Sequence, residues 1–485
     1  MRKFPVFLLF GISLLFGAEI RNGMLYLEIN LASAQHLQLD AGHLVLSDKD
    51  QLFTQDFSGK ILIDVVSPEQ DNQYGIIEHV GTAADIYDND AVINSYFVWE
   101  DDQLLLKHEY WFFLPDSFKD LEAAQSYAAS MNYPLSRVQS IPIVNSTLRI
   151  VGQDGKESYF ESPLNIQSSK EMWLNGLPYE GEFVLKIRSG KLVLNQILPI
   201  EEYIAGVIPN EIGSNSPLEA LKAQAVAART HAVSLLLNNR HSADGYDLCN
   251  TTHCQVYKGK HLRNEIIEEA VVQSAGEIIV SDQHIADATY HSSCGGKTDS
   301  SQDIWKGAYI PHLGGSTCIP AAEELDLSQE RDLTAWISSK VDSSGMSSWE
   351  VSSMVWQRSI SKAKVAANTG LDSIKSIEIL NRGHSGRILK LRITGDRSIV
   401  LDGEYKIRQA FGMLPSSMFV FKGATGSKAY YPGNSITIMG RGSGHGVGMC
   451  QVGALRKARR GEDYTSILQC YYPGTEIKNI RMEDD

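Results

Sequence analysis

The sequence predicts an α+β protein, with a β-rich N-terminal region followed by a region that mixes helices and strands. Short alternating runs of apolar and polar residues, interrupted by Asp, Gly and Asn, fill residues 20–110 and are typical of strands. An alanine-rich helix pattern follows at residues 218–235, and strand patterns return between residues 376 and 401. This order of patterns places the chain in the α+β class.

The N-terminus has the pattern of a secretory signal peptide. A basic start at Arg2 and Lys3 precedes an apolar run of about a dozen residues, which is too short to span a bilayer comfortably. The small residues Gly17 and Ala18 favour cleavage after residue 18, although an uncleaved anchor stays open. We therefore expect export to the periplasm or cell envelope and no stable transmembrane domain.

Composition limits the classes of partner. The formal net charge of −14 argues against broad binding of nucleic acid, and a neutral or locally cationic ligand suits such a chain better. A hydrophobic fraction of 43% leaves ample apolar material for a core. The six cysteines are too few to form a disulfide scaffold in 485 residues, although export would permit bridges.

Residues 19–180 carry strand patterns without recognisable chemistry, and we interpret them as an auxiliary region of unknown role. A helix is expected at residues 118–129, and a hairpin within residues 181–194 is expected to turn at Ser189 and Gly190. The acidic run at residues 85–90 lacks the glycine turn and distal glutamate of the familiar calcium loop, so a solvated turn is favoured.

The stretch at residues 198–230 contains the clearest helix signal. Residues 216–219 have the capping-box pattern, with proline at the first helical position. Just before them, Glu211 lies among apolar neighbours on an expected connection between two helices. Partial burial would raise the pKa of this carboxyl and let it hold a proton at neutral pH. The alternative is a solvated loop glutamate.

A cluster of cysteine and histidine follows the central helix. Cys249 and Cys254 lie five positions apart, His253 precedes the second cysteine, and His241 lies upstream. Zinc takes such nitrogen and sulfur ligands, and a site with four protein ligands is structural. A Cys249–Cys254 disulfide, or free thiols beside a surface histidine, fits the same spacing.

Residues 286–298 place His291 and Cys294 close to paired glycines, Gly295 and Gly296. A catalytic nucleophile is disfavoured because neighbours along a strand point to opposite faces and no carboxylate is available to orient the histidine. The glycines would let the backbone approach a bulky substrate. Farther on, residues 321–369 predict a polar helical segment that carries three tryptophans and lacks a catalytic pattern.

Glycine occupies every second position of residues 440–448. In an extended segment this spacing would leave one face without side chains, on which a ligand could lie flat, while His445 and its alternate neighbours line the other face. Neither phosphate-binding glycine motif is present. His445 would either orient a substrate or fill the core.

Four blocks, in the same order, resemble the SpoIID/LytB family of bacterial cell-wall proteins. The first runs from Glu202 through EALKAQAVAART at residues 219–230, with His231 where tyrosine is usual. The second is the cysteine–histidine block and the third is the HSSCGG block. The fourth is the glycine block, where Cys450 and Val452 replace the usual serine and tyrosine. The resemblance covers residues 181–478 and says nothing about residues 20–180.

The resemblance implies a catalytic domain over residues 181–485, with a glycan cleft and a helical insert at residues 320–370. In the sporulation branch, the glutamate that matches Glu211 is the catalytic acid of a lytic transglycosylase acting on peptidoglycan strands. The matched cysteine–histidine block implies a structural zinc on Cys249, His253 and Cys254, for which we add His241 as the fourth ligand. Contacts with the glycan are expected from Tyr203, Tyr257, Thr289, His291, Gly295, Gly296, His445, Gly446 and Gln451.

A single well-framed carboxylate suits this mechanism, because hydrolytic glycosidases usually need two. The acid protonates the glycosidic oxygen and then deprotonates the C6 hydroxyl of the muramic acid, so an anhydro sugar forms without any cofactor. The expected partners are peptide-poor glycan strands and, as in the LytB branch, a cell-wall amidase. Three alternatives stay open: a non-catalytic enhancer of that amidase, a zinc amidase or peptidase using His253 and His291, and a structural wall-binding module.

Overall fold

The computed structural model describes most of the chain after the expected signal peptide. It covers residues 19–21, 24–48, 54–80, 91–100, 103–118, 120–131, 133–134, 138–238, 240–423 and 429–482. The signal peptide predicted at residues 1–18 and the acidic run at residues 85–90 lie outside these residues. The described residues combine a large sheet with later helices, which confirms the predicted α+β class.

The N-terminal region is made almost entirely of strands. One helix, α1 (Leu121–Ser130), interrupts them and begins three residues later than predicted, because the Asp120 side chain accepts a hydrogen bond from the Ala123 amide and caps it. The strands are β1 (Glu19–Arg21), β2 (Met24–Ala34), β3 (His36–Ser47), β4 (Thr54–Val80), β5 (Ala91–Glu100), β6 (Gln103–Phe118), β7 (Val138–Val151), β8 (Glu157–Glu161), β9 (Leu164–Leu174), β10 (Leu177–Arg188) and β11 (Lys191–Pro199).

The predicted hairpin is confirmed. β10 and β11 pair antiparallel with Arg188 opposite Lys191, and Ser189 and Gly190 between them have φ values of 50° and 71°. Positive φ at both central positions is the geometry of a two-residue type I′ turn. β10 also pairs with β9, and β11 with β2, so the sheet runs across residue 180. The division into two domains there stays a prediction.

A layer of helices follows the sheet and returns to it at the end. Within the described chain, fifteen strands join the sheet, including the late strands β12, β13, β14 and β24. The elements of this layer are α2 (Ile200–Glu211), α3 (Leu218–Leu237), β12 (Leu248–Cys249), α4 (Glu265–Gln273), β13 (Glu277–Ser281), β14 (His284–Ile285), β15 (Tyr290–His291), β23 (Met449–Cys450), α10 (Gln451–Arg459), α11 (Tyr464–Tyr471) and β24 (Glu476–Met482).

The predicted capping box before α3 is wrong. α3 begins at Leu218, and no side chain of the described residues caps its N-terminus. The Ser216 hydroxyl instead donates to the Ile212 carbonyl at 2.8 Å and so serves the end of α2. The Glu219 carboxylate accepts from Lys222 at 2.9 Å and from the Tyr464 amide at 2.8 Å. Because the Ser216 hydroxyl is engaged at the end of α2, it is not available to cap α3.

The insert expected to be helical is only partly so, because β16 divides it and pairs with a strand far along the chain. Two small sheets extend the same part of the fold. Its elements are α5 (Ser301–Trp305), α6 (Glu330–Ser338), α7 (Ser348–Met354), β16 (Val355–Ser361), α8 (Lys362–Thr369), β17 (Ile374–Arg382), β18 (Ile388–Gly395), β19 (Ser398–Asp402), α9 (Glu404–Ala410), β20 (Phe419–Phe421), β21 (Ala429–Tyr430) and β22 (Ser435–Arg441).

The glycine block is not the extended segment that its spacing predicted. After β22 the four alternate glycines from residue 442 to residue 448 all have positive φ, between 70° and 94°. L-residues with side chains rarely adopt this conformation, which explains why glycine recurs there. The glycines face the chain itself, since a side chain at Gly446 would collide with Arg387 and one at Gly444 with His291. The block therefore does not form the continuous bare face that its spacing predicted.

The glycine block is fixed by a buried ion pair, which supports a prediction about stability. Arg387 and Asp299 are fully buried with their charged groups 2.8 Å apart, and the Asp299 amide donates to the Gly446 carbonyl. We expect Asp299→Ala to lower the free energy of unfolding by about 3–5 kcal/mol, because it leaves the guanidinium without its counter-charge. Urea unfolding measures this loss.

The matched control is an ion pair with both partners partly exposed, in the neighbouring sheet. Glu378 of β17 accepts from Arg392 of β18 at 2.7 Å, and the two side chains are 29% and 43% exposed. Glu378→Ala should therefore cost less than about 1 kcal/mol. Equal losses in the two variants would contradict the role given to the buried pair.

Candidate active site

A cleft of about 870 Å³ opens where α2 ends, beside the loops that follow β12, β14 and β22. Glu211, the last residue of α2, lines it rather than lying in a loop as expected. Histidine, tyrosine and tryptophan side chains form much of the wall, and two arginines stand on it. The residues used below are His231, Arg240, Asp287, Thr289, Tyr290, His291, Trp305, Arg408, His445 and Gln451.

The Glu211 carboxyl is partly buried and hydrogen-bonded on both oxygens. Oε1 accepts from the Val256 amide at 3.0 Å, and the Gln451 side-chain nitrogen lies 3.5 Å from Oε2. Burial raises the pKa of Glu211 above its usual range and outweighs these two hydrogen bonds, which lower the pKa. Since Oε1 accepts the shorter of the two hydrogen bonds, Oε2 is the oxygen better suited to carry the proton.

A second cavity of about 360 Å³ adjoins Glu211. It is lined by the α2–α3 connection and by α7 of the insert, whose Trp349 is 37% exposed. The Arg459 guanidinium holds the Glu350 carboxylate at 2.6 Å on another wall. Glu211 is a lining residue of both cavities, so space for an elongated ligand lies on two sides of this residue.

His291 and His445 lie edge to face, with ring centroids 5.4 Å apart. His291 Nδ1 is 3.0 Å from the Val447 carbonyl, and burial lowers the pKa of His291 to about 3. His445 donates from Nε2 to the Tyr290 carbonyl and accepts the Val447 amide at Nδ1. Burial likewise holds the pKa of His445 well below its usual value, so both rings are neutral.

Because both His445 nitrogens bind the backbone, this ring offers the cleft its edge and face. Trp305, which is 47% exposed, lies against it with ring centroids 5.1 Å apart. An exposed aromatic face of this kind can stack on a sugar ring. The structure thus joins His445 and Trp305, which are 140 positions apart in the printed sequence, on one wall of the cleft.

Four of the residues expected to contact substrate, Thr289, His291, His445 and Gln451, line the cleft with Glu211. Their roles stay predictions. The expected contacts of Tyr203 and Tyr257 find no support, because both side chains are buried in the core between the helices and the sheet. The Tyr257 hydroxyl donates to Gln196 of β11 at 2.8 Å.

The three glycines expected to contact substrate also pack against other parts of the chain. Side chains at Gly295 and Gly296 would meet Met418 and Trp336, and Gly446 faces Arg387 as described above. The Trp336 indole also donates to the Gly295 carbonyl at 2.7 Å. These glycines therefore allow the insert to pack close behind the cleft.

Sequence reasoning missed several residues of the cleft. Asp287 supplies a second carboxylate, and burial raises its pKa. His231 lines the cleft with a buried Nδ1 that has no partner among the described residues, and burial lowers its pKa to about 4. The departure from tyrosine at residue 231 was the only signal for that histidine. Arg240 and Arg408 carry no local pattern that distinguishes them from surface arginines.

The four predicted metal ligands converge at one end of the cleft. The donor atoms of His241, Cys249, His253 and Cys254 all lie within 4.8 Å of one another. His241 Nε2 is 3.3 Å from the Cys254 sulfur, and its Nδ1 is 2.8 Å from the Asp244 carboxylate. A carboxylate behind a histidine is the usual outer-shell partner of a zinc ligand. The donor set fits a structural zinc with four protein ligands.

One contact bears on how His253 would bind the ion. Its Nδ1 faces the other donors, 3.2 Å from His241 Nε2, while the Arg240 guanidinium lies 2.9 Å from its Nε2. With Nδ1 on a metal, Nε2 carries the hydrogen and cannot accept from an arginine. Arg240 is exposed, so its side chain can turn away toward the cleft.

Comparison with known proteins identifies this architecture. The SpoIID family profile, described as Stage II sporulation protein, matches residues 188–280, which contain α2, α3 and the cysteine–histidine cluster. The chain belongs to the SpoIID/LytB family. A second profile, a domain of unknown function (DUF8618), matches residues 299–448 and thus the insert and most of the glycine block.

Relatives of this SpoIID/LytB chain differ in how much of their length they share with it. An uncharacterised protein of Brachyspira hyodysenteriae is 33% identical over 63% of this chain and 73% of its own length. The amidase enhancer of Bacillus subtilis is 30% identical over 73% of this chain, which spans half of that protein. Stage II sporulation protein D of Bacillus subtilis is 28% identical over 58% of this chain and 74% of its own length.

Within the described part of the chain, no helix has both the length and the apolar character needed to cross a bilayer.

Proposed function

We propose that the protein cleaves peptidoglycan glycan strands as a lytic transglycosylase, with Glu211 as the acid and base. Family membership supports a role at the cell wall, and therefore a location in the envelope. The observation that carries the finer proposal is Glu211 itself, a lining residue of two cavities whose carboxyl has a raised pKa that favours a proton. An acid that cuts between two sugars needs room for a ring on each side.

In the first step, Glu211 Oε2 gives its proton to the glycosidic oxygen as the C1–O4 bond breaks. The Val256 amide and the Gln451 side chain then stabilise the new carboxylate. The positive charge that develops at C1 is favoured by the Asp287 carboxylate when ionised, which lines the same cleft. Glu211 next takes the proton of the C6 hydroxyl, and O6 bonds to C1, so the anhydro product forms without consuming water.

The charges of the cleft favour strands from which stem peptides have been removed. Such strands expose the lactyl carboxylate of each muramic acid, whereas peptide attachment converts it to an amide. Arg240 and Arg408 both line the cleft, and Arg408 keeps one guanidinium nitrogen beyond those bonded to Glu404 and Leu414. A guanidinium is well matched to a carboxylate.

His241, Cys249, His253 and Cys254 form the first donor set. A zinc bound there would act by fixing the loop beside Glu211. Residues 249–254 hold three of the donors, and Val256, two positions later, donates to Glu211. Gln255 between them binds the Ala228 carbonyl and the Tyr290 hydroxyl. With two cysteines and two histidines as ligands, the ion leaves no open position for activating water.

The experiment is product analysis by mass spectrometry after incubation with intact and with peptide-free glycan strands. We expect anhydro ends from peptide-free strands and little release from intact ones. Hydrolysed ends would instead assign a muramidase in which Asp287 is the second carboxylate. In that muramidase, Asp287→Asn should stop cleavage. In the proposed transglycosylase, the same change should only slow formation of the anhydro product.

The second candidate function is a non-catalytic enhancer of an N-acetylmuramoyl-L-alanine amidase. It is favoured by the similarity to the Bacillus subtilis amidase enhancer, which covers 73% of this chain. An enhancer would bind strands in the cleft without releasing products and would raise the rate of an added amidase. Two results together would select the enhancer. The parent would release no product, and strand binding and the rate of the added amidase would be the same with Glu211→Gln as with the parent.

A further inference from the structure

A second group of thiols and imidazole lies behind the cleft, apart from the donor set near His253. The ligand atoms of His291, Cys294 and Cys450 are all buried and lie within 4.8 Å of one another. The parallel bridge between β15 and β23 sets His291 beside Cys450 and thus joins residues far apart in sequence. Neither the cleavage chemistry proposed above nor the first donor set uses these sulfur atoms.

The His291 ring is in the state that a metal ligand requires. Its Nδ1 lies 3.0 Å from the Val447 carbonyl, which can only accept, so Nδ1 carries the hydrogen. Nε2 therefore has a free lone pair. Although His291 is only 4% exposed, Nε2 has no hydrogen-bond partner among the described residues. Buried polar atoms are rarely left unpaired, and metal-bound histidines commonly donate their other N–H to a backbone carbonyl.

The thiol groups are held by backbone donors. The Cys450 sulfur accepts from the amides of Cys294 at 3.2 Å and Gly453 at 3.3 Å, and it caps the N-terminus of α10. The Cys294 sulfur accepts from the Gly296 amide at 3.3 Å. Amide donors and a helix N-terminus both favour negative charge, so they suit thiolates, the form in which cysteine binds metals.

A third cysteine lies beside this group, just before the insert. The Cys318 amide donates to the Gly296 carbonyl at 3.0 Å, and its sulfur is 3.1 Å from the Tyr471 hydroxyl. Cys318 is not among the three donors that lie within 4.8 Å of one another, so its sulfur would move toward them when an ion binds. Gly453 leaves the space that this sulfur occupies, since a side chain there would collide with it. Three sulfurs and one imidazole nitrogen are a ligand set that zinc takes in structural sites.

We propose that His291, Cys294, Cys318 and Cys450 bind a second zinc ion. A disulfide is the competing explanation, but it joins only two of the three sulfurs and leaves His291 Nε2 unpaired. The ion would tie the segment just before the insert, through Cys318, to the start of α10. Gln451 follows Cys450 directly and contacts Glu211, so the site would brace the rear wall of the cleft. The inference does not depend on cleavage of glycan.

The full-length protein is purified under conditions that protect its thiols from oxidation and is dialysed against a weak chelator. Zinc per chain is then measured by plasma mass spectrometry. The parent should hold about two equivalents, and Cys254→Ser, which damages the first donor set, about one. Adding Cys450→Ser should remove the remaining ion. Cys470→Ser is the matched control, because Cys470 belongs to neither donor set, and it should keep the parent value.

A milder variant and a spectrum guard against misfolding. In the Cys254→Ser background, cobalt(II) should give thiolate charge-transfer absorption, which should weaken on adding Cys318→Ser. Metal content that Cys450→Ser leaves unchanged would overturn the proposal. So would peptide mapping that finds a disulfide between any two of Cys294, Cys318 and Cys450 in protein taken directly from the envelope.

Discussion

Replacing Glu211 with glutamine is expected to lower the rate of anhydro-product release by about 10²–10⁴-fold, the range found for loss of a general acid. The amide cannot give a proton to the glycosidic oxygen. It does keep an oxygen that can accept the Val256 amide, so the local hydrogen bond survives. We expect the urea midpoint to stay at the parent value, and product release is measured by mass spectrometry on peptide-free strands.

The control is Glu202→Gln, a change of the same kind in the same helix. The Glu202 carboxylate is 49% exposed and binds Arg263 at 2.7 Å. It does not line either cavity, so this variant should cleave at the parent rate. A Glu211→Gln protein that cleaves as fast as Glu202→Gln would refute the assigned acid.

The pH dependence of the cleavage rate tests the role of Glu211 independently. Burial raises the pKa of Glu211, so the protonated acid persists to higher pH than for an exposed glutamate. Activity should fall as pH rises through that pKa, because the carboxylate has no proton to give. The residual activity of Glu211→Gln should lack this alkaline decline, since glutamine does not titrate.

Loss of a ligand from the first donor set should lower stability about as much as loss of the buried Asp299 carboxylate. If free zinc is about a thousandfold above its dissociation constant, binding contributes about 4 kcal/mol. Cys254→Ser removes a sulfur that lies 3.3 Å from His241 Nε2 and is buried. We expect the free energy of unfolding to fall by about that amount, as measured by urea unfolding with zinc and with a chelator.

The same variant should also change the titration of the acid. The loop that carries Cys254 also carries Val256, whose amide hydrogen bond lowers the pKa of Glu211. Loosening this loop weakens that bond, so the alkaline decline in activity should move to higher pH. The half-buried Cys470 supplies the control, because Cys470→Ser should leave both stability and pH profile unchanged. A stable, chelator-insensitive Cys254→Ser protein would exclude a zinc at this position.

The sequence was most informative where local chemistry decides the structure. The turn at Ser189 and Gly190 followed from residues that tolerate positive φ, and the α3 helix followed from its apolar spacing. The convergence of His241 with the cysteine block was also anticipated, because those residues lie within one short segment. Each of these features depends on contacts between near neighbours in the chain.

The predictions that failed depend on what the rest of the chain does. Alternating glycines predicted a flat strand, but Arg387 and residues 289–294 press against them and require positive φ instead. Ser216 matched a capping box, but the end of α2 uses its hydroxyl. Tyr203 matched a family motif, but the core covers its ring.

From the printed sequence alone we predicted the α+β class, the resemblance to the family and a glutamate framed by apolar residues. Long-range packing brings Glu211 and Asp287 to the walls of one cleft and sets His291 beside Cys450 behind it. Dihedral preferences and the hydrogen bonds of turns act between neighbours along the chain, so local sequence encodes them. Burial, which raises the pKa of Glu211 and leaves His291 Nε2 without a partner among the described residues, is a property of the whole packed chain.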